Sequence, residues 1–334
     1  MFTREEALDR VEGTSAATLF GPPGTDPARR KEAQRLYWAL ATVLHPDRVA
    51  VDDVRAHAAA AGLTRLYQEW QQAKPVVLRT AKGVYRVTER HAVGSVANVY
   101  RTDGRHVVKI VRDPALNPLL RAEWAALRAL RRFTDEHRWL SPYFPRMTDN
   151  GDVGRGERAF TVFEPLVDGF VTLAEVRRAF PDGLDGRDFA WMHRRLLRAV
   201  AAAHRVGLVH GAIVVENVLV HPEQHGIVLA GWSFGVEDGQ PLLATAKSVD
   251  YPPEVVAGRP VTAATDVHML HALMSDLLAH GETRQRTFAR GCMQDDPERR
   301  PDAVALLEEY DELLDELYGQ RAFRPFALPD RTGA

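Results

Sequence analysis

Chemistry-bearing side chains gather in residues 209–220, V-H-G-A-I-V-V-E-N-V-L-V, where a polar turn from His210 to Asn217 separates an apolar approach from an apolar run at 218–220. The turn holds an imidazole (His210), a carboxylate (Glu216) and a carboxamide (Asn217), group types that acid–base and metal-assisted transfer chemistry use. Its centre is Ala212, which can neither accept nor orient a proton. A second pair, His268 and His271, shares a helix face, but a metal site needs a third ligand and none lies nearby, so the pair reads as packing or surface. A helical run at 189–206 leads into the polar turn and a β-like run at 226–230 follows it at hairpin distance.

In shape and spacing this stretch resembles the catalytic loop of the protein kinases, H-R-D-L-x-x-x-N. His210 and Asn217 match. Ala212 stands where that family has its catalytic Asp, and Val214 where serine/threonine kinases have a Lys. Upstream, β-like runs at 76–78, 84–87, 96–100 and 106–111 bracket H-A-V-G-S-V-A-N-V-Y, which lies where a kinase has its glycine-rich loop. Gly94 is kept, whereas Ala92 and Ala97 fill the outer glycine places, which implies a hairpin with a weaker phosphate cradle. The resemblance makes Lys109 of H-V-V-K the strand lysine for α/β-phosphates and Glu123, on the following helix, its partner. Phe163 takes the gatekeeper place, with Glu164 and Leu166 offering backbone hydrogen bonds to a base and Pro165 removing a donor between them.

Downstream, the metal-binding D-F-G has no Asp counterpart. Either Gly231-Trp232-Ser233 or Ser233-Phe234-Gly235 takes its place; the first is preferred because the run 227–230 leads directly into Gly231, and both lose the carboxylate. Y-P-P-E at 251–254 resembles A-P-E, and D-P-E-R-R-P at 296–301 resembles D-P-x-x-R-P. These matches imply a buried ion pair between Glu254 and Arg300, and place Asp266 as the helix Asp that holds the catalytic-loop backbone. With His210 they are structural residues and speak for the fold, not for activity.

The first seventy residues carry a different pattern. Thr3 and Glu6 have capping-box spacing, G-P-P-G-T-D-P breaks the chain at 21–27, and Asp26-Pro27 supplies the start of a second helix. There Ala33, Leu36, Tyr37, Leu40, Val43 and Leu44 recur at three and four, with Arg29, Arg30, Lys31 and Arg35 mainly off that stripe. H-P-D (His45, Pro46, Asp47) ends the helix, and another follows at 54–72 with Leu63, Leu66, Tyr67 and Trp70. Helix, H-P-D, helix resembles the J-domain of DnaJ-type co-chaperones over residues 14–73. The resemblance implies that His45, Pro46 and Asp47, with the basic face of Arg29, Arg30, Lys31 and Arg35, contact a DnaK-type chaperone.

The charge of the 334 residues is nearly balanced, 43 Lys+Arg against 45 Asp+Glu, which gives no general pull toward nucleic acid. One cysteine, Cys292, excludes an internal disulfide framework and suits a reducing cytoplasm; no apolar run reaches membrane-spanning length. The expected fold is α+β and multidomain: an all-α J-like domain (1–74), a β-rich kinase-like N-lobe (75–165), an α-helical C-lobe (166–320) and a frayed tail (321–334). The expected function is an inactive kinase-like (pseudokinase) scaffold or client-binding module joined to a chaperone-recruiting J-domain. It would require no cofactor or metal, bind ATP or ADP weakly and without metal, and engage neither nucleic acid nor membrane. The rival is an atypical phosphotransferase or nucleotidyltransferase that uses Glu216, Asn217, Glu237 or Asp238 in place of the lost carboxylates.

Overall fold

A computed structural model describes residues 2–20, 27–45, 48, 53–72, 76–153, 157–246 and 249–329. The chain forms two compact units, Met1–Arg112 with Asp149–Val162, and Asp113–Thr148 with Phe163–Ala334.

The first unit opens with four helices. The helix α1 (Arg4–Val11) starts at the Thr3/Glu6 capping box, in which the Glu6 carboxylate accepts the Thr3 N–H at 2.8 Å. It is followed by α2 (Ala16–Phe20), α3 (Pro27–Val43) and α4 (Val54–Gln72). The three-and-four spacing of α3 turns Ala33 and Leu40 inward, where they join Leu8, Val11, Phe20, Leu44, Leu63 and Trp70 in one core. The aromatics of the last helix complete it: Tyr67 stacks on Tyr37 at 4.2 Å and meets the Phe20 ring edge-on at 5.3 Å.

A six-stranded sheet follows, built from β1 (Val77–Arg79), β2 (Val84–Val93), β3 (Ala97–Thr102), β4 (Val107–Val111), β5 (Met147–Val153) and β6 (Arg158–Phe163) in the order β1-β2-β3-β4-β6-β5. Leu78, Tyr85, Val108, Ile110, Phe160 and Val162 form its core. The strand β2 is longer than its apolar run because T-E-R-H-A-V at 88–93 still pairs with β3, through register shifts between Val87 and Glu89 and between Arg90 and Ala92.

The second unit is mainly helical. The long helices α5 (Asn117–Glu136) and α7 (Gly186–Arg205) bury one face each, Leu120, Glu123, Leu127 and Leu130 on the first, Phe189, Met192, Leu196 and Val200 on the second. Between them stand β7 (Val171–Thr172) and α6 (Leu173–Ala179). The short strands β8 (Leu208–Val209), β9 (Val218–His221), β10 (Gly226–Leu229) and β11 (Val236–Glu237) frame the polar turn. After them come α8 (Pro253–Val256), α9 (Ala263–Leu277), α10 (Thr283–Cys292) and α11 (Ala303–Tyr318).

The described part of the C-terminus corrects the expectation of a frayed tail. Gly319 (φ 71°) turns the chain back after α11, Phe326 is buried with its ring 5.6 Å from that of Phe180, and the Arg324 guanidinium meets the Asp188 carboxylate at 2.6 Å. Aromatic and charged anchors hold residues 319–329 as a strap; residues 330–334 lie outside the described part. No described helix is long and apolar enough to cross a membrane.

Candidate functional site

The polar turn is held from below by Asp266 on α9. This carboxylate is fully buried and accepts the N–H groups of His210 at 2.7 Å and Gly211 at 2.9 Å, with His204 Nε2 at 3.2 Å from the same group. Gly211 has φ 68°, a conformation that favours glycine, and a Cβ there would also have to displace the end of the Leu242 side chain. His210 Nδ1 accepts the Ala212 N–H at 3.2 Å, and its Nε2 faces the Ala230 carbonyl at 2.7 Å. The turn is closed by Asn217, whose Nδ2 donates to the Ala212 carbonyl at 2.8 Å while its own carbonyl accepts the Ala230 N–H at 2.8 Å. At position 212 there is only a buried methyl group.

Gly231 leaves β10 in the left-handed region, φ 83°, with its α-carbon pressed against the Asn217 carboxamide; a Cβ there would lie 2.6 Å from Nδ2 and closer still to Cγ. Trp232 follows, fully buried, donating Nε1–H to the Leu229 carbonyl at 2.8 Å and standing edge-on to His210 at 4.6 Å. The Ser233 hydroxyl lies 3.4 Å from the buried Glu123 carboxylate of α5. The two sequence alternatives therefore occupy different surroundings: Gly231 faces Asn217, and Ser233 faces Glu123.

The acidic groups available to a rival chemistry lie apart in role. Glu216 and Glu237 are exposed, the latter in register with Leu208 in the β11–β8 pair, and Asp238 accepts the Ala263 N–H at 3.1 Å to start α9. Among the described residues no group of three His, Cys, Asp or Glu side chains could hold a metal ion. Of the two helix histidines, His271 is wholly buried with Nδ1 at 2.6 Å from the Val267 carbonyl, and burial pushes the His268 imidazole below its ordinary value.

Glu254 and Arg300 form a buried two-pronged pair, 2.7 Å and 3.0 Å, in which Thr265 also donates to the carboxylate at 2.9 Å. Burial alone would raise the Glu254 carboxyl, but the hydrogen bonds from Arg300 and Thr265 hold it below its ordinary range. In the segment after β6, the Glu164 N–H is donated to the Arg146 carbonyl at 3.0 Å, its side chain pairs with Arg146 at 3.2 Å, and Leu166 is exposed.

In the first unit, Lys109 stands on β4 opposite Val99. The Gly94 N–H is donated to the Ala97 carbonyl at 3.0 Å, and Arg112 bonds the Gly94 carbonyl at 3.3 Å, so the hairpin tip is closed on itself. Of the basic helix, Arg30, Lys31 and Arg35 are exposed, as is His45; Pro46, Asp47 and the Arg29 side chain lie outside the described residues.

Sequence reasoning missed His204 and Trp232. His204 has a signal, being an imidazole in the last turn of α7 shortly before the polar turn; the role of Trp232 as the ring against His210 follows only from the turn at Gly231. No protein-family model matches the chain. Among solved structures it is similar to vaccinia related kinase 3, at 17% identity over 74% of this chain and 92% of that one, TM-score 0.57. It is also similar to the PknI kinase domain of Mycobacterium tuberculosis, at 20% identity over 71% of this chain and 99% of that one, TM-score 0.51. The fold is that of a protein kinase domain; identities this low establish nothing about activity.

Proposed function

We propose that this chain is a kinase-fold scaffold that transfers no phosphate, a pseudokinase that holds an as yet unnamed client while its J-like N-terminal helices bring a DnaK-type chaperone to it in the cytoplasm. One observation carries the first half: the loop is held by Asp266 and Asn217 around a buried alanine, and the Asn217 carboxamide fills the space from which a carboxylate at position 231 would have to project. Phosphoryl transfer needs a group to orient the nucleophile and charge to offset the β- and γ-oxygens, and neither position supplies one. The second half is supported by the H-P-D tripeptide at His45, Pro46 and Asp47 in the sequence and by the exposure of Arg30, Lys31 and Arg35 on the helix before it.

Nucleotide, on this reading, binds weakly and without metal, ATP no better than ADP. The Gly94 N–H is already donated, which weakens the phosphate cradle, while Lys109, Glu123, Glu164, Leu166 and Asn217 remain the residues expected to contribute. At millimolar nucleotide the melting temperature should move little or not at all, unchanged by EDTA and less in Lys109→Ala.

The decisive experiment uses the full chain twice. Radiolabelled ATP with Mg²⁺ or Mn²⁺ should leave no label on the chain or on generic substrates, and label that disappears in Lys109→Ala would sink the scaffold reading. The cognate DnaK-type ATPase should be accelerated by the wild-type chain and not by His45→Gln; no acceleration by the wild type removes the chaperone half.

A further inference from the structure

On α7 the half-buried Arg198 lies three and four residues after Arg195 and Arg194, so that it neighbours both on the helix surface within about 6 Å along the axis. The strap after α11 delivers a fourth guanidinium, Arg321, to this face, where its charged neighbours are, strongest first, Arg194, Arg198, Asp311 of α11 and Arg195. Asp311 is already committed to Arg194, 2.7 Å from its Nε. Among the described residues, Arg195, Arg198 and Arg321 make no ion pair and no side-chain hydrogen bond.

Arg321 is not there by accident of a loose end. It lies between the turn at Gly319 and three anchors: Phe323 stacked on His225 at 4.5 Å, Arg324 on Asp188 at 2.6 Å, and Phe326 between Phe180 and Trp191. Ordering this strap costs conformational entropy, and it brings like charges together. Burial and the three neighbouring arginines hold the Arg321 guanidinium below its ordinary range.

We propose that Arg195, Arg198 and Arg321 form a docking site for the phosphoryl group of a phosphorylated partner polypeptide. A phosphoryl group brings close to two negative charges and three acceptor oxygens, enough for several guanidiniums at once, where a carboxylate brings one charge and two oxygens. A long polyanion is disfavoured: it would have to pass α11, which packs on α7 and carries exposed Glu308, Glu309, Glu312 and Asp315, besides Glu316, which pairs with Arg284 of α10. A polypeptide carrier is favoured over free phosphate by Phe323, 69% exposed and fixed two residues from Arg321, which offers an apolar seat beside the charge. The proposal is independent of whether the turn at 210–217 transfers phosphate.

Full-length protein is titrated, by fluorescence anisotropy, into a labelled peptide library with a fixed central phosphoserine and random flanks, and into its unphosphorylated twin. The phosphorylated library should bind roughly tenfold or more tightly, and Arg198→Gln, Arg321→Gln and the double variant should each erase most of that preference while melting as the wild type does. The preference should shrink as salt rises. Equal binding of the two libraries, or an undiminished preference in the double variant, overturns the site. Inorganic pyrophosphate competing as well as the best-bound phosphopeptides overturns the polypeptide assignment in favour of a free phosphate.

Discussion

The carboxamide of Asn217 occupies the space into which any side chain at position 231 would extend, so the two residues exclude each other's alternatives. Restoring the missing carboxylate is therefore not a matter of one substitution. Gly231→Asp should fail to create a Mg²⁺-dependent shift in melting temperature and should cost about 1–3 kcal/mol in urea unfolding, since φ 83° is strained for a non-glycine residue even before the clash. Gly231→Ala should cost a similar amount. A Mg²⁺-dependent rise in melting temperature for the Asp variant would show that the carboxamide swings aside.

Glu254 and Arg300 join α8 to the turn before α11, and both side chains are almost wholly shielded from water. Removing one partner leaves a buried charge, so Glu254→Gln or Arg300→Met should cost about 3–5 kcal/mol. Because the folded Glu254 carboxyl is held below its ordinary value of 4.5, its contribution is present above that pH and is lost as pH falls through the lower folded value. In Arg300→Met that acid-labile component should be absent from a pH series of urea midpoints.

His193 of α7 and His271 of α9 meet edge-on at 4.9 Å in a pocket closed by Phe189, Phe288 and Tyr310; neither His193 nitrogen, nor His271 Nε2, has a hydrogen-bond partner among the described residues. Burial drives both imidazoles down, His271 to about 4 and His193 well below its ordinary value. The unfolded chain takes up protons near pH 6.5 and the folded chain does not, so stability is whole above that pH and falls on acidification toward pH 4, by about 1.4 kcal/mol per pH unit for each histidine. The double variant His193→Phe, His271→Leu should flatten the profile. An unchanged slope would place the acid sensitivity elsewhere.

Two phenylalanines of the strap should behave differently. Phe326→Ala removes a ring that is 4% exposed and should cost about 3 kcal/mol or more, whereas Phe323→Ala, 69% exposed, should cost less than about 1. Equal effects in chemical denaturation would mean that the strap is held by its ion pairs alone.

Much of the fold was legible because its signals are local. The periodicity of α3 and α4, the Thr3/Glu6 cap and the apolar runs of β4 and β6 are each decided by neighbours in sequence. The strand β5 was not legible: M-T-D-N-G-D-V has no alternation, and it is a strand because it is an edge partner of β6. Nor was the strap, since F-R-P-F looks like coil until Phe180 and Trp191 are folded beneath Phe326. At the candidate site, residue types matched position by position showed which chemical groups are missing. The filling of the space at Gly231 by Asn217 depends on a backbone dihedral angle, which residue type does not encode.

The bonds around His210 carry one more consequence. Nδ1 accepts the Ala212 N–H, so the proton must sit on Nε2, which faces the Ala230 carbonyl. The ring is thereby fixed in a single tautomer by backbone groups from both arms of the loop. Nitrogen chemical shifts of that imidazole would consequently serve as a spectroscopic gauge of loop integrity, distinguishing a partner that docks on an intact loop from one that pries it open.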